Sequence, residues 1–296
     1  MGLTNENFNK ILEKKSFSNE VKWMKIFHPF IAQKAKPGQF IILRPTEESE
    51  RIPLTIAGTD ANSGTFEIIF QEVGVTTKKL GSLEEGDIIH NIAGPLGKPV
   101  EIEKFGRVVL ITGGVGAAFI YWMAKAFKEK GNSVWAVMGA RTANLLILED
   151  EMKKICDRVL IATDDGSKGV KGFVTKVLED ALGSGEHADL AICAGPVLMM
   201  KNVSLITKRY NIKTIASLNP IMIDGTGMCG GCRVTVGGIT KFACVDGPDF
   251  DAHEVDFDEL LKRTSFYKKH EQCALERYLK TASKEQVSQT IAENKN

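Results

Sequence analysis

The feature that most limits how this chain can fold is a change of hydrophobic period at Arg107. From there on, continuous apolar runs of strand length alternate with stretches that are apolar at helical spacing. RVVLITGG ends in glycines and is followed by AAFIYWMAKAFKEK, which Gly131 closes. Then come SVWAVMGAR, a helical NLLILEDEMKKI, RVLIATDDG, a helix near FVTKVLEDAL, and ADLAICAGP. Strands and helices alternating over short connections form a parallel sheet wrapped by helices. Residues 101–217 are therefore expected to be an α/β doubly wound domain.

Upstream the period is different. VKWMKIFHPF, GQFIILRP, TFEIIFQEV and DIIHNIAGP are short β-rich runs separated by KPG, DANSG and EEGD. Their spacing predicts a small antiparallel β-barrel or sandwich over residues 1–100. Residues 218–250 form a compact segment rich in glycine and cysteine, and in residues 251–296 DFDELLKR and EQCALERYLK read as two amphipathic helices. At 43% hydrophobic residues, a 296-residue chain can build two or three separate cores. Thirty-eight basic residues against thirty-seven acidic leave a net charge of +1, which offers no field for nucleic acid and no basic membrane patch. The longest apolar stretches hold about ten residues, against the roughly twenty a membrane span needs. The start, MGLTNENFNK, lacks a signal-peptide core, and Glu6 breaks the myristoylation pattern. The expected protein is soluble and cytoplasmic.

Six cysteines in such a protein do not suggest a disulfide framework. Cys156 and Cys193 sit in helix and strand patterns as core residues, and the role of Cys273 on the terminal helix is open. Cys229, Cys232 and Cys244 fall within sixteen residues dense in glycine, and point to metal. C-x2-C puts two thiolates on one turn. Zinc would need one further ligand, and redox use of the pair is a third reading. The spacing also fits the plant-type iron–sulfur pattern C-x4-C-x2-C…C, whose first position falls on Asp224. The five histidines share no ligand spacing and are given no role.

Two further groups of residues suggest nucleotides. Thr112-Gly113-Gly114-Val115-Gly116 ends a strand and opens a helix, a turn that lays backbone N–H groups against a pyrophosphate. Thr163-Asp164-Asp165-Gly166 and Gly195-Pro196 end later strands, and ligands of doubly wound sheets sit beyond that edge. In the barrel half, Arg51-Ile52-Pro53-Leu54-Thr55 offers a guanidinium fork to phosphate, and Gly74-Val75-Thr76-Thr77 precedes the helix-like KKLGSL. Taken alone, the first is an exposed arginine beside an edge-strand proline, and Gly94-Pro95-Leu96-Gly97 reads equally as a plain turn.

Barrel, nucleotide sheet and cysteine segment in this order resemble the ferredoxin–NADP reductase-like family over about residues 10–250. RIPLT resembles its R-x-P-[LIY]-[ST] flavin motif, VGVTT its flavin diphosphate loop, and TGGVG, DDG and GP its nicotinamide site. Two subfamilies of electron-transfer subunits compete: that of dihydroorotate dehydrogenase, and the small (alpha) subunit of NADH-dependent reduced ferredoxin:NADP oxidoreductase with its sulfide dehydrogenase relative. The chain looks like the second, because Asp224 replaces the first cysteine and nearly fifty residues follow the cluster segment that ends at residue 250. The resemblance implies FAD held by Arg51, Pro53, Leu54, Thr55, Phe70, Gln71, Gly74, Thr76 and Thr77, and NAD(H) held by Gly113, Gly114, Gly116, Arg141 and Asp164. It implies a [2Fe-2S] cluster on Asp224, Cys229, Cys232 and Cys244, and no general acid–base residue. Such a subunit passes electrons between NAD(H), FAD and the cluster, to or from a larger flavin/iron–sulfur subunit in a heterodimer. The alternatives are the other electron-transfer subunits, a stand-alone NADH:acceptor reductase, and a non-catalytic regulator of the same fold. Two departures stand out: Ala194 lies where relatives often carry cysteine, and Leu54 replaces an aromatic residue.

Overall fold

The computed structural model describes residues 7–293. Residues 1–6 and 294–296, counted above into the first and last segments, lie outside the described residues.

β1 (Lys10–Ser16), β2 (Val21–Phe27), β3 (Phe40–Arg44), β4 (Ile52–Asp60), β5 (Thr65–Gln71) and β6 (Asn91–Leu96) form an antiparallel sheet in the order β1-β2-β5-β4-β3-β6. The backbone of Ile11 bonds to Gly86 and Asp87, just before β6, and this closes the sheet into a barrel. Ile11, Met24, Ile26, Ile41, Leu43, Phe66, Ile68 and Phe70 fill it. The run VKWMKIFHPF is not all strand. β2 stops at Phe27, Pro29 opens α1 (Pro29–Lys34), and His28 Nδ1 accepts the Ile31 N–H at 3.3 Å as its cap. His28 thus has a structural role. The barrel's other helix is α2 (Val75–Gly81).

The second unit runs β7 (Arg107–Gly113), α3 (Ala117–Glu129), β8 (Ser133–Ala140), α4 (Glu149–Ile155), β9 (Arg158–Thr163), β10 (Val170–Lys171), α5 (Val174–Gly183), β11 (Leu190–Ala194), α6 (Val197–Arg209) and β12 (Lys213–Ser217). These six strands are parallel where they pair. NLLILEDEMKKI is α-helical only from Glu149, after a single 3-10 turn at Ala143–Leu145. Ile147 and Leu148 turn into the core instead, and Leu148 takes a left-handed φ of 60°.

The cysteine segment contributes a hairpin of β13 (Arg233–Val236) and β14 (Ile239–Phe242), then the short α7 (Ala243–Asp246). Next, β15 (Asp249–Asp251) joins the parallel sheet, antiparallel to β12, giving the order β10-β9-β8-β7-β11-β12-β15. α8 (Phe257–Ser265) and α9 (Lys268–Glu293) complete the chain. Phe257 and Leu260 of α8 are buried in the same cluster as Val197 and Met200 of α6. Leu279 of α9 is exposed. On the other face of the sheet one core runs from α3 and α4 into the barrel through Val21, Trp23, Ala57 and Ile69. Barrel and sheet are thereby fixed against each other.

Candidate functional site

β7 and β11 are neighbours whose chains continue toward opposite flanks of the sheet, so the loops after them border the switch point where doubly wound sheets bind ligands. The two loops touch. A Cβ on Gly116 would lie 2.5 Å from the Ala194 carbonyl oxygen, and one on Gly113 would lie 3.0 Å from Pro196 Cδ. Loop-on-loop packing therefore requires both glycines. Gly114 differs, with φ +60° and nothing within 4 Å of where its Cβ would be, so it presents bare backbone to open space.

Arg141 and Asp164 follow β8 and β9 at the same edge, and both are exposed. Arg141, Thr142 and Asn144 form one wall of a cleft of about 510 Å³, and the β1–β2 turn at Phe17–Glu20 forms the other. The loop after β9 is held in place. Asp165 Oδ1 accepts from the Ser167 hydroxyl at 2.6 Å, Ser167 Oγ accepts the Ala143 N–H at 2.8 Å, and Lys168 pairs with buried Glu149 at 2.5 Å.

On the barrel, Arg51 is exposed just before β4 and has no hydrogen-bond or ion-pair partner among the described residues. Pro53, Leu54 and Thr55 are half-buried in β4, opposite Ile42, Ile41 and Phe40 of β3. Three expectations need refinement. The Phe70 ring is sealed in the barrel core, so only its backbone faces outward chemistry. Gln71 Nε2 donates to Glu20 at 2.9 Å, tying β5 to the β1–β2 turn. The Thr77 hydroxyl accepts the Gly74 N–H and donates to the Gly74 carbonyl, so it shapes the turn, while Thr76 is buried beside it.

The cysteine segment winds around Asp224. One carboxylate oxygen accepts the Thr226 N–H at 2.9 Å and the other accepts the Cys229 N–H at 2.8 Å. These bonds, Thr226 first, hold its carboxyl below the usual range, so it is an anion. Gly225, at φ +78°, seats this turn on the barrel: a Cβ there would lie 2.6 Å from Leu96 Cδ1 and 2.9 Å from Ile42 Cδ1. Cys232 Sγ lies 3.2 Å from Cys244 Sγ, both buried, while Cys229 is exposed and its sulfur accepts the Gly231 N–H. Burial and the adjacent Cys232 push the Cys244 thiol up to about 12. A bound cation reverses such a shift by displacing the protons. A carboxylate and two thiols on one glycine-rich turn, a third thiol brought beside them from α7, two sulfurs 3.2 Å apart and an N–H group directed at sulfur suit an iron–sulfur cluster. Among the described residues no three His, Cys, Asp or Glu side chains converge as a ready site for one metal ion.

Two residues here, Arg263 and Asp249, carried no sequence signal. Arg263 of α8 reaches the C-x2-C turn, donating to the Gly231 carbonyl at 3.2 Å. The Thr112 hydroxyl and both carboxylate oxygens of Asp249 are buried without a hydrogen-bond partner.

Comparison with known proteins agrees with this geometry. Residues 219–256 match the family described as the iron–sulfur cluster binding domain of dihydroorotate dehydrogenase B, and residues 110–204 match the oxidoreductase NAD-binding domain. The dihydroorotate dehydrogenase B electron transfer subunit homolog of Thermotoga maritima is 49% identical over 274 residues, covering 93% of this chain and 96% of its own. A chain in the solved structure of an NADH-dependent reduced ferredoxin–NADP oxidoreductase superposes with a TM-score of 0.87 at 47% identity, covering 94% of this chain and all of that one. A ferredoxin NADP+ reductase from Neisseria gonorrhoeae, solved with FAD and NADP, shares the fold at a TM-score of 0.57 and 16% identity, over 68% of this chain and 89% of its own. No described helix is long and apolar enough to cross a membrane. With a barrel, a nucleotide sheet and a cysteine segment in this arrangement, the chain belongs to the family of dihydroorotate dehydrogenase B electron-transfer subunits and their homologs.

Proposed function

We propose that this chain is the electron-transfer subunit of a heteromeric oxidoreductase of the NADH-dependent reduced ferredoxin:NADP oxidoreductase type. It carries FAD, a [2Fe-2S] cluster and an NAD(H) site, and works in the cytoplasm beside a larger flavin/iron–sulfur subunit. The observation that carries this reading is Asp224, an anionic carboxylate at the head of the cysteine turn where a four-thiolate site would have a fourth sulfur. The dihydroorotate dehydrogenase type of subunit is the second reading, favoured by the family match over residues 219–256.

Bound FAD supplies the conversion between two-electron hydride chemistry and single electrons. The chain's residues bind and orient. Exposed Arg51 offers its fork to the FAD phosphates, Pro53, Leu54 and Thr55 support the ring along β4, and the turn at Gly74, Thr76 and Thr77, with the backbone of Phe70 and Gln71, carries the diphosphate. Gly114 lets a dinucleotide approach the switch point, Gly113 and Gly116 bring the two loops together, and Arg141 and Asp164 face its far end. Asp224, Cys229, Cys232 and Cys244 hold the cluster. Residues 1–100, 101–217, 218–250 and 251–296 are the corresponding FAD, NAD(H), cluster and helical parts.

The test is anaerobic purification after expression alone and together with the neighbouring reading frames. We expect a flavin and iron–sulfur spectrum that NADH bleaches, and a co-purifying larger subunit. A colourless protein would leave the regulator, and a coloured protein active without a partner would leave the stand-alone reductase.

A further inference from the structure

We infer that Asp249 is a proton-holding residue of the electron path. It takes one proton from solvent when an electron is placed in the seam between barrel, sheet and cysteine segment, and returns it when the electron leaves. This rests on the flavin and cluster reading above.

The placement of Asp249 argues for this. Its strand partner is Ser217, whose row neighbour is Ala194, whose neighbour in turn is Thr112, so Thr112, Ala194, Ser217 and Asp249 form one row across four strands at the carboxyl edge. That edge borders the switch point. Asp249 also touches the barrel: a Cβ on Gly38 would lie 3.0 Å from its Oδ2. Just before it, the Gly247 carbonyl accepts the Lys98 N–H at 2.6 Å, so the three parts of the molecule meet at this carboxylate.

Asp249 is poorly partnered in this position. Both oxygens are buried and no donor reaches them in good hydrogen-bond geometry, the Ser217 hydroxyl being the one polar group that acts on them. No ion pair involving it occurs among the described residues. The groups that face it are few. β11 presents Ala194, which is not titratable, while the Cys193 thiol on the opposite face of the sheet is pushed up first by its own burial and then by the Asp249 charge. β12 presents the half-buried Ser217 hydroxyl, and the barrel presents Gly38 and Val100, neither titratable. Burial pushes the carboxyl up to about 7, with Ser217 pulling weakly the other way. A purely structural contact at such a spot is better made by an apolar side chain. A carboxyl poised near neutrality responds to added charge: one electron nearby in low dielectric raises its proton affinity, and one carboxylate plus one solvent proton becomes one acid. Electron and proton then enter and leave together. Asp249 acts through the field it makes, as a positioning residue for charge.

The experiment compares the loaded wild-type complex with Asp249→Asn and Asp249→Ala. Flavin and cluster potentials are titrated from well below to well above the value of about 7. At low pH variant and wild type should coincide. Above about 7 the wild-type potential of at least one cofactor should fall below that of both variants, by an amount that grows with pH. A reduced-minus-oxidised infrared difference spectrum of wild type alone should gain a protonated-carboxyl band. Variant potentials that parallel wild type at every pH, or no carboxyl band on reduction, would overturn the inference. Wild-type protein that never shows flavin or cluster signals would overturn the functional reading, and this inference with it.

Discussion

The nucleotide sheet and the cysteine segment touch each other yet keep their shapes by opposite means. β7 and β11 are buried along nearly their whole length, and Leu110, Ile111, Leu190 and Ile192 are inaccessible between helices on both faces. The sheet is specified by apolar volume, which needs no ligand. In the turn from Asp224 to Cys232 the work falls to left-handed glycines, a carboxylate that gathers N–H groups, and thiols. Such a turn is specified by donor chemistry, and metal completes its stability.

That contrast makes Cys232→Ser the largest expected effect. Iron content should fall to background while FAD stays bound and the sheet unfolds at its usual temperature. Loss of FAD together with iron would show that the two regions are not separable. Phe127→Ala is the reciprocal test, since its ring is inaccessible in the core under α3. It should cost about 3–5 kcal/mol by denaturant unfolding, with iron still incorporated at permissive temperature. Asp224 sharpens the comparison further. Asp224→Cys should keep a cluster with a shifted potential, whereas Asp224→Ala removes an acceptor of two N–H groups as well as a ligand and should lose or perturb the EPR signal. The smallest effect is expected at Glu149. Burial pushes its carboxyl up, but the bonds from Lys153 and Lys168 outweigh this and hold it below its ordinary value of 4.5. Its contribution is therefore present above 4.5 and fades as pH falls through the lowered value. Glu149→Gln should cost less than about 1 kcal/mol near neutrality and nothing in acid, measured as the melting-temperature difference across pH.

The same contrast explains what could be read from the sequence. Apolar periods announced β7, α3, β8, β9, α5 and β11, because their packing is written in local side chains. The C-x2-C turn was visible for the same local reason. Residues whose role depends on distant partners were hidden. DGPDFDAHE carries no strand signal, yet Asp249–Asp251 becomes a strand because β12 is there to pair with it. Arg263 looks like an ordinary basic residue near a helix end until α8 packs it against Gly231. NLLILEDEMKKI predicts one helix because apolar residues heading for the core resemble a helical face, whereas the α-helix starts only at Glu149. The resemblance implies a place at the flavin for Phe70 and Thr77, but burial and a backbone turn engage their side chains, a detail that only the packing shows.

β15 bears on how such proteins can be taken apart. Although it belongs in sequence to the cysteine segment, it supplies the seventh strand of the neighbouring sheet and covers the outer hydrogen-bonding edge of β12 from Ile215 to Ser217. The metal-bearing part is therefore not an appendage that can be clipped off or grafted elsewhere at will. A chain cut after Ser217 would bare an edge strand, an adhesive template for other strands. Any recombination that swaps electron carriers between such subunits must carry residues 249–251 along or provide another cover for β12.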